Sequence, residues 1–129
     1  MERPSFRRSI TETFRVGNMQ FDLTFGENIS TGKIFEVFFS GMTEGSSMQG
    51  LLTSFCVMVS RALQRGDVPA QMLDGTLGVM PFPPSGVIYT PSDDGESWIN
   101  LGEVPSVTYA IVKAVEWASL SFAKDFSWS

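Results

Sequence analysis

One segment, residues 33–66, constrains the fold of this chain more than any other: KIFEVFFSGMTEGSSMQGLLTSFCVMVSRALQRG. Its first eight residues are rich in β-branched and aromatic side chains, which favours a strand. Ser46 and Gln49 then have the spacing of a capping box, which predicts that a helix begins here. Gly66 is a suitable residue to end that helix. We therefore predict a strand, a tight turn and one long amphipathic helix.

The apolar residues of the predicted helix recur at helical spacing and form a wide stripe. We expect the following side chains to face the core: Met48, Leu51, Leu52, Phe55, Cys56, Met58, Val59, Ala62 and Leu63.

Two alternating segments precede this unit and predict a hairpin. SITETFRV, from Ser9 to Val16, and MQFDLTF, from Met19 to Phe25, flank the turn signal Gly17–Asn18. GENISTG is then predicted to be a loop. Three sequential strands joined by short turns favour an antiparallel meander.

The second half of the chain predicts a short helix, a proline-rich connector, two strands and a second long helix. These correspond to DVPAQMLDGTLG, PFPPSG, GVIYT with ESWINLG, and VPSVTYAIVKAVEWASLSFA. In the last helix we expect Val107, Ala110, Ile111, Ala114, Val115, Ala118 and Phe122 to face inward. The fold class that follows is α+β: a single two-layer domain, with a mainly antiparallel sheet of about five strands and two long helices on one face.

Composition narrows the classes of function. The chain has 129 residues, enough for one domain, and its net charge of −5 argues against nonspecific nucleic-acid binding. The longest apolar run, residues 55–59, is too short to span a membrane. With one cysteine there is no internal disulfide, and we expect a cytoplasmic protein without a membrane partner.

The residues that usually carry reaction chemistry are scarce. The chain contains no histidine, so neither a Ser-His nor a Cys-His nucleophile can form. Cys56 falls on the predicted buried face of the long helix, where a thiol is usually an inert core residue. The sequence has no metal-ligand motif, and no pair of carboxylates stands out. We therefore expect no enzyme activity, no metal and no cofactor, with an unrecognised catalytic site as the alternative.

The start of the long helix is the most suggestive candidate site. Gly45, Ser46 and Ser47 place backbone N–H groups at the positive end of the helix dipole, an arrangement that can hold a phosphate or carboxylate. Arg61 or Arg65 could pair with a phosphate, and Phe82 could stack on a base, as could Tyr89 or Trp98. The alternative is plain helix capping and an aromatic core, which need the same residues.

Three stretches of the sequence carry a family resemblance. They are RPSFRRSITETFRVG, GKIFEVFFSGMTEGSSMQGLLTSFCVMVSRALQRGDVPAQML and FPPSG, and the most specific part is the SRALQRG signature at residues 60–66. In these stretches the chain resembles the TSCPD-type C-terminal accessory domain of adenosylcobalamin-dependent (class II) ribonucleotide reductases. It departs from that pattern at Thr43, where the family often carries a lysine, and at Thr108, where it carries an aspartate. The Thr-Ser-Cys-Pro-Asp motif that names the domain is not visible.

The resemblance implies a TSCPD-like domain over residues 9–123, with a basic arm at residues 1–8 and a tail at residues 124–129. It also implies a non-catalytic, stand-alone accessory or binding domain, because the catalytic barrel and redox-cysteine tail of the reductases have no counterpart here. We expect a homo-oligomer or a complex with a reductase-type partner, which would cover strand edges and tail aromatics such as Phe126 and Trp128. The alternative is a regulator or sponge, of cellular or phage origin, that binds a nucleotide or a nucleotide-derived signal.

Overall fold

The computed structural model of the chain describes residues 7–28, 30–40, 47–73, 85–92 and 94–127. The elements in chain order are β1 (Arg7–Val16), β2 (Met19–Asn28), β3 (Lys33–Ser40), α1 (Ser47–Gln64), α2 (Pro69–Leu73), β4 (Gly86–Pro91), β5 (Trp98–Val104) and α3 (Val107–Ser127). The strands form one antiparallel sheet in the order β3-β2-β1-β4-β5. This architecture confirms the predicted α+β fold.

The predicted hairpin is present, and its turn has two residues. Val16 pairs with Met19, and Gly17 at the first turn position has a φ of 58°. A glycine is favoured there because a positive φ is strained for other residues.

The core lies between one face of the sheet and the helices. Phe21, Leu23 and Phe25 alternate along β2 and are buried on this face, as the sequence pattern predicts. On the neighbouring strand, the Phe14 ring stacks at 6.0 Å on Phe21 and meets the Trp117 ring of α3 edge-on at 5.9 Å. Aromatic contacts therefore join the first hairpin to the last helix.

Strand β2 is longer than predicted, and it includes part of the segment that we expected to be a loop. The pairing register between β2 and β3 shifts between Gly26 and Glu27, which marks a β-bulge, and pairing continues to Asn28. The prediction of a loop over GENISTG is therefore wrong for its first three residues, because the ladder continues through them. Strand β1 likewise begins at Arg7, inside the predicted arm, and α3 continues to Ser127, inside the predicted tail.

Helix α3 confirms the predicted inward face. Its buried residues include all six of the predicted ones whose side chains are described: Val107, Ala110, Ile111, Ala114, Val115 and Ala118. Val112 is also buried, although the sequence pattern did not indicate it. The side chain of Phe122 lies outside the described residues.

Helix α1 confirms only part of its predicted inward face. Leu52, Cys56 and Val59 are buried, but Leu51 and Met58 are 69% and 68% exposed, so their predicted inward position is wrong. The physical reason is angular: successive helix residues differ by about 100°, so Leu51 and Met58 lie well away from the buried neighbours that follow them. The apolar stripe that the sequence predicts therefore covers a wider part of the helix circumference than the part that is buried.

Helix α1 also closes the outer edge of β3 through side-chain bonds to the strand backbone. The Ser60 hydroxyl accepts from the Val37 N–H at 2.9 Å and lies 3.1 Å from the Val37 carbonyl. It is also 2.9 Å from the Cys56 carbonyl in its own helix. Near the helix end, Gln64 Nε2 donates to the Phe35 carbonyl at 3.1 Å. These bonds satisfy backbone groups that an edge strand otherwise leaves open.

Few backbone pairs join the two halves of the sheet, β3-β2-β1 and β4-β5. Strands β1 and β4 share only the pairs Arg15–Tyr89 and Val16–Ile88 in the described residues. The buried Thr90 hydroxyl extends this junction, since it donates to the Thr13 carbonyl at 2.8 Å. A side chain therefore takes the place of a further ladder bond.

We predict that Ser60→Ala lowers the free energy of unfolding by about 1–3 kcal/mol, because it leaves buried backbone groups of Val37 without their partner. Urea unfolding measures this loss, and Ser54→Ala, an exposed site in the same helix, is the control, with a change within about 0.5 kcal/mol. Equal stability of the two variants would contradict the role assigned to Ser60. Hydrogen exchange at the Val37 amide should also become faster in Ser60→Ala only.

Candidate functional site

The predicted anion site at the start of α1 lies mostly outside the described residues. Gly45 and Ser46 are not among them, and neither is Phe82. The structure does place the start of α1 at Ser47, so the helix begins where the sequence indicates. Anion binding by Gly45, Ser46 and Ser47 remains a prediction.

The two predicted phosphate-pairing arginines lie at the other end of the same helix. Arg61 and Arg65 are exposed, and Arg65 Nη2 lies 3.5 Å from Asp67 Oδ2. Arg61 follows Ser47 by almost four turns, so about 21 Å separate the two along the helix axis. The structure therefore does not bring the described members of the predicted set together around one phosphate.

Gly66, the last residue of the signature, ends α1 in a Schellman motif. Its φ is 99°, and its N–H donates to the Leu63 carbonyl at 3.0 Å. The Asp67 N–H donates to the Ala62 carbonyl, also at 3.0 Å. Three residues of the SRALQRG signature thus have structural roles: Ser60, Gln64 and Gly66.

Cys56 is a core residue, as predicted. Its side chain is buried in the cluster between α1 and the sheet, and burial raises the pKa of the thiol from 9.0 to about 12. The thiolate, which is the reactive form of cysteine, is therefore scarce at neutral pH.

A buried acid–base pair is the polar feature that sequence reasoning missed. Glu27 is fully buried on the core face of β2, and Arg8 Nε of the neighbouring strand lies 2.8 Å from Glu27 Oε1. The two residues are direct partners in the β1–β2 register. The alternation of Phe21, Leu23 and Phe25 reaches Glu27 two residues later, and this signal could have placed it on the core face.

The other face of the sheet carries two of the aromatic residues that could stack on a base. Trp98 is 41% exposed, and the Arg15 guanidinium lies 4.8 Å from the centre of its ring. Tyr89 is half-buried and pairs with Arg15 across the strands. The arginine therefore covers one face of the Trp98 ring, so a base could stack at most on the other face.

The outward face of α1, the side of the helix turned away from the core, combines large exposed apolar side chains with few charges. Arg61 is the only charged residue among the 18 of this helix. Leu51 and Met58 are exposed on one side of this face, and Val57, which is 48% exposed, lies about 100° from Met58 around the helix. Thr53 and Ser54 are also exposed, so this face has mixed polarity and few charges. Depletion of charge is typical of the central part of a protein interface.

Gly50 interrupts the same face. A Cβ at this position would meet no atom of the described residues within 4 Å, so this part of the chain supplies no steric reason for a glycine. Inside a helix, a glycine costs about 0.5–1 kcal/mol relative to alanine.

A shallow depression of about 530 Å³ lies between the start of β4 and the end of β5. Its lining residues are Ser85, Gly86, Val87, Glu103, Val104 and Pro105. The single charged group in this lining is the carboxylate of Glu103, which suits a phosphate poorly.

Two features are absent from the described part of the chain. No group of three or more cysteine, aspartate or glutamate side chains converges there as a metal ion would require. Among the helices in those ranges, none has the length and apolar character needed to cross a bilayer.

Comparison with known proteins identifies one family. A family model described as the TSCPD domain matches residues 2–119 and so covers most of the chain. No curated protein and no solved structure matches the sequence.

We predict that the stability of the protein falls more steeply with pH than that of Cys56→Ala between pH 9.0 and about 12. In this window the unfolded thiol has ionised while the folded thiol retains its proton, so rising pH favours unfolding. The extra slope should approach about 1.4 kcal/mol per pH unit. Urea unfolding of both proteins across this window measures it.

Below pH 9.0 the free energies of unfolding of the two proteins should change in parallel with pH. In this range Cys56→Ala should be the less stable protein, because it contains a cavity. Parallel profiles across the whole range would contradict the raised pKa. Labelling with a thiol reagent gives a second measurement, since Cys56 should react only when the chain unfolds.

Proposed function

The chain belongs to the TSCPD domain family, and on that premise we propose that it is a non-catalytic accessory domain that acts by assembling with a reductase-type protein or with itself. The observation that carries this proposal is the outward face of α1, where Leu51 and Met58 are exposed on a helix with a single charge. Large exposed apolar side chains with few charges around them are typical of protein contacts.

The use of the signature residues supports the same proposal. Ser60 and Gln64 bond to the backbone of β3, and Gly66 ends the helix. The signature segment, by which the chain resembles the reductase accessory domains, therefore fixes α1 against β3. The side chains of α1 that do not contact β3 or the core form the outward face. A rigid helix of this type is suited to present a binding surface.

A second candidate function is binding of a nucleotide or a nucleotide-derived signal. It is favoured by Arg61 and Arg65, which are exposed near the end of α1. Arg61 forms no ion pair with any residue that the structure describes, so its guanidinium is available for a phosphate.

The assembly proposal predicts that the chain forms a complex with the catalytic subunit of an adenosylcobalamin-dependent reductase from which the accessory region has been removed. Co-elution in size-exclusion chromatography measures the complex, and the apolar face of α1 supplies the physical reason for it. The matched control is the same subunit with its own accessory region retained, which should compete and reduce co-elution. Absence of any complex, together with absence of self-association, would contradict the proposal.

The nucleotide proposal predicts a thermal shift with at least one nucleoside phosphate or cyclic nucleotide. A ligand present at a hundred times its Kd stabilises the folded protein by about 2.7 kcal/mol. Arg65→Ala should remove the shift, whereas Arg15→Ala, which makes the same charge change on the sheet, should retain it. If no nucleotide gives a shift, or if the shift survives in Arg61→Ala and Arg65→Ala, nucleotide binding at this end of α1 is wrong.

A further inference from the structure

We propose that Asp94–Gly95 is a site of aspartate isomerisation that the folded protein protects, so that the modification forms only when the turn between β4 and β5 opens. This turn joins Pro91 to Trp98, and Asp94 within it is exposed to solvent. The site lies on a different part of the molecule from the outward face of α1, so it does not depend on the proposed function.

Asp-Gly sequences are susceptible to isomerisation because glycine has no side chain to hinder ring closure. The backbone nitrogen of Gly95 attacks Cγ of the protonated Asp94 side chain. A C–N bond forms, the C–OH bond breaks, and the hydroxyl group leaves as water with the proton of the Gly95 N–H. Water then opens the resulting succinimide at either carbonyl carbon. Attack at Cγ restores aspartate, whereas attack at the main-chain carbonyl carbon gives isoaspartate.

Hydrogen bonds in the closed turn hold the electrophile, the Asp94 side chain, in its unreactive form. Asp94 Oδ1 accepts from the Ser92 hydroxyl, and it accepts from the Glu96 N–H at 2.9 Å. These bonds, the Ser92 hydroxyl first, lower the pKa of the Asp94 carboxyl because they favour its ionised form. A carboxylate has no hydroxyl group to leave as water, so ring closure is suppressed.

The nucleophile is held as well. The Gly95 N–H donates to the Ser92 carbonyl at 2.9 Å, and this bond has to break before the nitrogen can turn toward Cγ of Asp94. The φ of Gly95 is 72°, which is strained for other residues. The turn therefore requires the glycine that makes this sequence reactive, and its hydrogen bonds restrain both reacting groups.

The position of the site determines what the modification does to the fold. The Ser92 N–H donates to the Ser97 carbonyl at 2.9 Å, directly beyond the Pro91–Trp98 pair of the β4–β5 ladder. Isoaspartate lengthens the main chain by a carbon atom inside this turn, so the bonds that close it no longer fit. Strand β5 is an edge strand and pairs with β4 alone. The modification thus converts a transient opening of the turn into a lasting loss of pairing at this end of β5.

The first test compares isoaspartate formation at residue 94 in the folded protein and in guanidinium chloride, at the same neutral pH and temperature. Chymotrypsin releases the peptide of residues 90–98 by cleavage after Tyr89 and Trp98. Reversed-phase chromatography separates its isoaspartyl form, and fragmentation locates the modified residue. Formation should be about tenfold or more slower in the folded protein, since the reaction requires local opening. In the denatured sample, Asp74–Gly75 measures the unprotected rate of the same dipeptide. Equal rates at residue 94 in the folded and denatured protein would overturn the proposal.

The second test uses two serines of the same turn. Ser92→Ala removes the hydroxyl that holds the carboxylate and should accelerate isoaspartate formation in the folded protein by about fivefold to tenfold. Ser97→Ala is the matched control, because the Ser97 hydroxyl bonds to the Ser92 hydroxyl at 2.9 Å, and it should change the rate much less. Equal acceleration in the two variants would contradict the protection by Ser92.

Asp94→Glu identifies the reacting residue. Its longer side chain closes a larger ring much more slowly, so the isoaspartyl peptide of residues 90–98 should disappear from the denatured sample. Persistence of that signal at the former rate would show that another residue reacts and would overturn the assignment. Urea midpoints of all three variants check that they fold. The comparison of folded and denatured wild-type protein tests the proposal without any variant.

Discussion

The bonds between Ser60 and the backbone of β3 are the constraint on which the rest of the structure depends. The Ser60 hydroxyl lies within hydrogen-bond distance of the Val37 N–H and the Val37 carbonyl, and also of the Cys56 carbonyl in its own helix. These bonds fix α1 along the edge of the sheet, which determines the arc of the helix that enters the core. They also determine the arc that remains outside, and so the surface that α1 presents to other molecules.

Much of the fold could be predicted because its signals are local. The two-residue period of Phe21, Leu23 and Phe25, together with the Gly17–Asn18 turn, specifies a hairpin with one buried face. The extension of β2 to Glu27 could not be predicted with the same ease, since a charged residue on a core face depends on Arg8 in another strand. Likewise, helical spacing identifies apolar faces, but only the packing of α1 on β3 decides which of them is covered.

The candidate site was less predictable than the fold, for a geometric reason. Helix starts and cationic helix ends are both suited to phosphates, but the two ends of one predicted helix are separated by about 1.5 Å per residue, and the candidate set took no account of that distance. Here they belong to opposite ends of one helix, with Ser47 at its start and Arg61 near its end. The residues of the signature were recognisable, but their bonds to β3 were not, because those bonds join residues that are distant in the sequence.

The narrow junction between β1 and β4 has a consequence for cooperativity. With two residue pairs and the Thr90 hydroxyl across it, this junction alone holds the two parts of the sheet together weakly. Helix α3 contacts both β3 and β5, so it spans the junction from one edge strand to the other. Helix α3 therefore couples the two parts of the sheet, so that they unfold together. Because α3 follows all five strands in the chain, a nascent chain acquires this coupling only after α3 has been synthesised.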